Sequence, residues 1–146
     1  GLVQEDSLRI SWKKGHESQF YWQADVPADF SQMEQDGGAL VMEFMINKYP
    51  KGSVTQRMDC GWPCRGEIDV TEFYKSIPLR QHSKVGISLS CFKKMGVDME
   101  KITSPLVLVS KDEFEITFSD VRVIANASED NTIQLCDSEV ATLLQD

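Results

Sequence analysis

No apolar run in this sequence approaches the roughly twenty residues needed to cross a bilayer. The longest candidate, Ala39–Ile46, is interrupted by Glu43. Positive charge is also scarce: 15 Lys and Arg stand against 23 Asp and Glu, a formal net charge of −8. That balance disfavours nucleic acid and anionic membrane surfaces as partners and suits neutral ligands. There are two histidines, His16 and His82, in separate segments. Neither has a persuasive serine or cysteine partner for a nucleophile–base pair, and no Gly-x-Ser-x-Gly elbow occurs. Gly-rich phosphate loops, EF-hand spacing, internal repeats and low-complexity tracts are missing as well. Glycosidase chemistry needs two carboxylates set across a cleft. Glu67 and Asp69 would share a side if extended, but a polar loop or helix cap is the plainer expectation for them.

What is present is strand periodicity. Leu8, Ile10 and Trp12 alternate with polar residues, as do Phe20, Trp22 and Ala24. Leu40, Met42, Phe44 and Ile46 form one apolar face, and Val85, Ile87 and Leu89 another. Phe114, Ile116 and Phe118 complete the set. Such segments bury one side and show the other to water, as antiparallel strands do. Leu106–Val109 reads as a strand buried on both faces, and Val54–Asp59 as a weaker strand. Turn signals lie between them at Lys14-Gly15, Asp36-Gly37-Gly38, Pro50-Lys51-Gly52 and Lys111-Asp112. Two helical turns are predicted, Val70–Ser76 capped near Asp69 or Thr71, and Ser90–Met95 capped by Ser90 and stopped by Gly96. Seven or eight short strands with one or two short helices predict an all-β, antiparallel sandwich of jelly-roll type. The 146 residues read as one domain, with a core over about 5–125 and a tail at 126–146. The chain starts at Gly1 in a polar segment, so it reads as a piece of a longer exported protein with its signal peptide outside this segment.

One phase break stands out. Even positions are apolar up to Phe118; beyond it Val121 and Val123 are apolar and Asp120 falls on the formerly buried parity. A β-bulge re-aims side chains in this way. Asp120 must then find partners, either backbone groups at the bulge or a structural calcium held with Asp6 or Glu17.

The four cysteines, Cys60, Cys64, Cys91 and Cys136, allow three complete pairings. A local Cys60–Cys64 disulfide is the expected one, against the alternative of two free thiols. Zinc lacks a second Cys pair or a nearby His. Between those cysteines Trp62 lies in a loop of turn formers, where its ring can stack on the C–H face of a sugar. The alternatives are a plug over the sandwich end or a contact with a neighbouring domain. Trp12 and Trp22 share the parity of the apolar faces and read as core. Arg65 joins Trp62 as a candidate sugar contact, and Tyr21, Gln23, Glu43, Arg57 and Ser88 are expected to project from one polar sheet face. Amide, carboxylate and guanidinium groups match the paired hydroxyls of neutral sugars. An ordinary solvated face is the alternative.

Several blocks together carry a family resemblance. They are Leu8-Arg9-Ile10-Ser11-Trp12, Glu17-Ser18-Gln19-Phe20-Tyr21-Trp22-Gln23-Ala24, Ala39-Leu40-Val41-Met42-Glu43-Phe44 and Met58-Asp59-Cys60-Gly61. Cys64-Arg65-Gly66-Glu67-Ile68-Asp69-Val70-Thr71 and Leu89-Ser90-Cys91-Phe92 are the most specific, followed by Gly96-Val97-Asp98-Met99 and Phe118-Ser119-Asp120-Val121-Arg122. The series resembles the ExoP-type galactose-binding-like C-terminal domain of bacterial glycoside hydrolase family 3 enzymes, which are exo-acting β-glucosidases and glucan glucohydrolases. The resemblance implies a β-sandwich packed on two catalytic domains of the same chain, which supply the nucleophile and the acid/base. It implies a periplasmic or secreted setting and β-glucan or an oligosaccharide as ligand. Ser119-Asp120-Val121 is similar to that family's Ser-Asp-Trp nucleophile motif but lacks the Trp, so no catalytic role is carried over. The sequence reading is therefore an accessory domain without catalysis, or a purely structural domain that binds no sugar.

Overall fold

The computed structural model describes residues 7–22 and 26–127. Gln23, Ala24, Asp6, Cys136 and most of the 126–146 tail, all named above, lie outside the described residues. Eight strands and three short helices follow in the order β1 (Leu8–Trp12), β2 (Ser18–Trp22), α1 (Ser31–Gln35), β3 (Ala39–Lys48), β4 (Val54–Asp59), β5 (Arg65–Asp69), α2 (Thr71–Lys75), β6 (Ser83–Ser88), α3 (Leu89–Lys94), β7 (Ser104–Ser110) and β8 (Phe114–Ile124). They form two four-stranded antiparallel sheets, β1-β8-β3-β6 and β2-β7-β4-β5. This is the jelly-roll sandwich that the alternation predicts.

Each sheet sends its apolar parity inward. Leu40, Met42, Phe44 and Ile46 of β3 meet Phe114, Ile116 and Phe118 of β8, and across the interior they face Val54, Met58, Leu106 and Leu108. Aromatic rings span the gap. Trp12 stacks on Phe114 at 5.3 Å, Phe114 on Tyr74 at 5.7 Å, and Tyr74 meets Phe44 edge-on at 5.4 Å. Leu106, Val107 and Leu108 are buried as expected of a strand covered on both faces, whereas Val109, the last residue of the predicted run, is half-buried.

The predicted bulge is in β8. Phe44 pairs with Phe118 but Glu43 pairs with Asp120, so Ser119 is the extra residue, and its hydroxyl donates to the Glu43 carbonyl at 3.2 Å. The shift turns Asp120 out of the core while Val121 and Val123 pack on it.

Helix boundaries differ in detail from expectation. α2 lies where predicted, with Thr71 N–H donating to the Asp69 carboxylate at 2.9 Å. α3 starts a residue early, because Leu89 N–H is taken by the Gly38 carbonyl; Ser88, not Ser90, then caps it. Gly96 stops it at a φ of 110°. α1 has no counterpart among the sequence expectations. Its five residues are too few to show a helical period, and its signal is Asp29, which accepts from Ser31 N–H and Oγ. β5 is a second addition. Glu67 and Asp69 lie in an extended edge strand rather than a polar loop.

Gln56 is buried in this apolar interior, so its amide needs partners. The Tyr74 hydroxyl donates to Gln56 Oε1 and Gln56 Nε2 donates to Met42 Sδ, both at 3.4 Å. Burial holds the Tyr74 hydroxyl protonated far above the ordinary phenol value of 10.0. Below that value folded and unfolded chains both keep the proton, so the contribution to stability is whole. Above it the unfolded chain loses a proton that the native state retains, and stability falls by up to about 1.4 kcal/mol per pH unit. The urea midpoint should therefore drop between about pH 9 and pH 11. Tyr74→Phe should flatten that limb; an equally steep fall in the variant would assign the alkaline loss to other groups.

Candidate functional site

The outer face of the β2-β7-β4-β5 sheet carries most of the candidate residues. Register places Tyr21, Val107, Arg57 and Glu67 in one row across the four strands. Tyr21 is 51% exposed at one side of the row, whereas Val107 in its middle is 1% exposed. Arg57 is the half-buried neighbour of Val107 on the next strand, and it is held in place by Asp59. Its Nε and Nη2 donate to the two carboxylate oxygens of Asp59 at 2.6 and 3.2 Å. A fork of this kind fixes both groups and cancels their charge. A shallow, open depression of about 200 Å³ lies beside it, lined by Gln19, Tyr21, Asp59, Thr103 and Ser104.

Trp62 stands at the end of this face, in the turn joining β4 to β5, and is 74% exposed. The turn is tightly built. Cys60 and Cys64 form the expected disulfide, with Cα atoms 5.0 Å apart. Cys60 N–H donates to the Cys64 carbonyl, Cys64 N–H to the Gly61 carbonyl, and Gly61 N–H to Thr103 Oγ1. Gly61 takes a φ of 87°, which is why glycine occupies that corner. The Trp62-Pro63 peptide is cis. Cys91 is disulfide-bonded too, and no described cysteine is free. Arg65 lies across the Trp62 ring, its guanidinium carbon 4.3 Å from the ring centroid. Trp12 is core at 5% exposure, and the half-buried Trp22 packs against the same core, as their parity predicts.

Two expectations are corrected here. Glu43 and Ser88 do not share a face with Tyr21 and Arg57. They belong to β3 and β6, so they lie on the opposite sheet. There Arg122 Nη1 donates to Glu43 Oε2 at 2.7 Å and to Asp120 Oδ2, while His82 Nε2 lies 3.2 Å from Glu43 Oε1. Ser88 is spent on capping α3. Alternation reveals which side of its own strand a residue takes, but not which sheet receives the strand. The calcium pair Asp120 and Glu17 is likewise not assembled. Glu17 adjoins Ser18, whose carbonyl accepts from Trp12 Nε1, and Trp12 sits opposite Phe114. Asp120 is six positions along β8 from Phe114, about 20 Å at strand rise. It accepts instead from Arg122, and no group of three His, Cys, Asp or Glu among the described residues is placed to hold a metal.

Sequence reasoning missed Asp59, Gln19 and Thr103 as members of the face. Asp59 shares the parity of Arg57 two residues before it on β4, but that spacing alone does not show that their side chains close on each other. Chemically, Asp59 and Glu67 are both engaged by arginines, Glu67 at 3.7 Å from Arg65 Nε. The face is open and flat, with two exposed aromatic rings and a charge-paired polar floor. It is equipped to hold a neutral polyhydroxylated ligand by stacking and hydrogen bonding.

Two four-stranded antiparallel sheets in this order, with three short helices among the described residues, form a β-sandwich. The chain belongs to the Exop_C family, described as galactose-binding domain-like, whose model matches residues 1–123. Among solved structures it is similar to the extra C-terminal domain (X) of the exo-1,3/1,4-β-glucanase ExoP from a Pseudoalteromonas species. The TM-score is 0.73 at 19% identity, covering 92% of this chain and 70% of that one. Against the exo-1,3/1,4-β-glucanase ExoP structure from the same organism the TM-score is again 0.73 at 20% identity, over 91% of this chain and 16% of the enzyme. The family 30 carbohydrate-binding module of the cellulosomal cellulase Cel9D-Cel44B of Clostridium thermocellum matches at a TM-score of 0.65 and 19% identity, over 86% of this chain and 76% of the module. No curated protein matches. No helix among the described residues is long and apolar enough to cross a membrane.

Proposed function

We propose that this chain is a non-catalytic accessory domain of a β-glucan-degrading enzyme, and that it binds β-linked glucan on the outer face of the β2-β7-β4-β5 sheet. The observation that carries the reading is Trp62, an indole held out into solvent on a disulfide-closed turn beside a polar face. An indole held out on so constrained a backbone offers a fixed aromatic surface on which the C–H face of a sugar can stack. The similarity to the ExoP extra domain and to a carbohydrate-binding module points the same way. Tyr21 marks the far side of the face, with Arg57 and Asp59 between the two rings. In this reading the chain packs on the catalytic domains of a larger glycoside hydrolase of family 3, exported to the periplasm or the medium, where its disulfides are stable.

Calorimetric titration with cello- and laminari-oligosaccharides tests this directly. Heat of binding is expected with at least one series. Trp62→Ala should weaken it about tenfold or more, about 1.4 kcal/mol or more, with the melting temperature little changed, because the largely exposed ring is in cation–π contact with the Arg65 guanidinium, worth about 0.5–1 kcal/mol at an exposed site. If neither series gives heat, the binding reading fails and a purely structural domain remains.

A further inference from the structure

A lone indole that is three-quarters exposed would sample several rotamers, and a sugar would have to freeze it on binding. In this molecule the freezing is already supplied. The Arg65 guanidinium covers one face of the Trp62 ring at 4.3 Å. The guanidinium is itself anchored, because Arg65 Nη1 donates to the Pro63 carbonyl at 2.9 Å and Nε lies 3.7 Å from Glu67 Oε1. Arg65 and Glu67 sit two apart on β5, so one strand face presents both. The hydrogen bond to Pro63 ties the arginine to the residue that follows Trp62, and the disulfide ties the turn's two ends together. The ring is thus clamped from one side.

We infer that Arg65 is a positioning residue, which holds the Trp62 ring in its binding orientation and leaves a single face of the indole for the sugar. Tyr21 has no such clamp: among the described residues no arginine or lysine is stacked on it. The two aromatic rings of the site therefore differ in kind, Trp62 a prepared platform and Tyr21 an adaptable one. This assignment rests on the binding reading above, but the order of the indole can be tested without any ligand. Arginine is required for the full effect, because only a planar guanidinium stacks flat on the ring while donating sideways to Pro63.

Three forms of the 146-residue chain decide the matter: the parent sequence, Arg65→Met and Arg65→Lys. The first measurement is the heteronuclear relaxation of the Trp62 indole N–H, assigned by its loss in Trp62→Ala. It should report a rigid ring in the parent, a mobile ring in Arg65→Met and an intermediate in Arg65→Lys, with melting temperatures alike. The second is titration with the oligosaccharide that binds the parent. Arg65→Met should lose about five- to tenfold in affinity, the penalty for ordering one large side chain, and Arg65→Lys should recover part of it. An indole equally rigid in Arg65→Met overturns the assignment whether or not any sugar binds. Binding by the parent with undiminished affinity in Arg65→Met also overturns it, while leaving the glucan-binding reading intact. Absence of binding by the parent instead defeats that reading, and the relaxation data then judge the clamp on their own.

Discussion

Gly38→Ala is expected to cost about 3 kcal/mol of stability, at the upper end of what overpacking inflicts. A Cβ at this position would fall 2.7 Å from the Met33 carbonyl oxygen and closer still to the carbonyl oxygen of Ile124. Both obstacles are backbone, so no side-chain rotation relieves them. Gly38 is also tied down. Its N–H donates to Met33 and its carbonyl accepts from Leu89, which locks α1, the start of β3 and the start of α3 together. The end of β8 closes the same corner, since Ile124 pairs with Ala39. A loss of this size should lower the melting temperature by about 10 °C. Gly37 offers the control. It has a φ of 81° with nothing near its absent side chain, so Gly37→Asn should cost well under 1 kcal/mol. Calorimetric melting of both variants checks the contrast, and equal losses would refute the steric account.

Phe44→Ala is expected to cost about 3–5 kcal/mol. The ring is fully buried where β3, β8 and α2 meet, edge-on to Tyr74 at 5.4 Å and to Phe118 at 6.5 Å. It also pairs with Phe118 at the last register position before the bulge, so its removal opens a cavity at the point where β8 shifts phase. Urea denaturation should show a lower midpoint with an unchanged slope. A loss below about 1 kcal/mol would mean that the core collapses onto the vacancy. Variant chains that remain folded should keep their sugar affinity, because Trp62, Tyr21 and Arg57 are carried by the other sheet.

The contrast between those two sheets shows how far the sequence could be read. Phe44, Phe114 and Phe118 announce their burial through alternation, and the change of parity after Phe118 announces the bulge at Ser119. Cys60 and Cys64 are close enough in sequence to suggest their own pairing. Trp62 is conspicuous for sitting in a turn rather than on an apolar parity. All of these are local signals. Glu43 was expected on the face of Tyr21 and Arg57 because its signal was local and the question was not. It does point to solvent, but on β3, which pairs with β6 and β8 in the sheet away from Tyr21. β5 was hidden for another reason. Its glycine packs against the end of α3 and the turn after it, where a Cβ would meet the Phe92 carbonyl, Met95 and Val97, so the strand shows no bulky inward residue at that point to betray its alternation. The Arg57–Asp59 fork and the Arg65–Trp62 stack depend on which rotamers neighbouring strands permit, and sequence spacing alone does not state that.

The last strand among the described residues, β8, occupies an interior position. β8 lies between β1 and β3, and Leu8 meets Phe118 across it. During synthesis, β1 therefore lacks its β8 partner until almost the whole described sandwich has left the ribosome. Pairing so distant in sequence imposes a large loop-closure entropy before any contact repays it, which places the domain among the slow, topology-limited folders. Until Phe114–Ile124 arrives, the nascent β3 shows an open edge and its row of Leu40, Met42, Phe44 and Ile46 to whatever else is in the compartment.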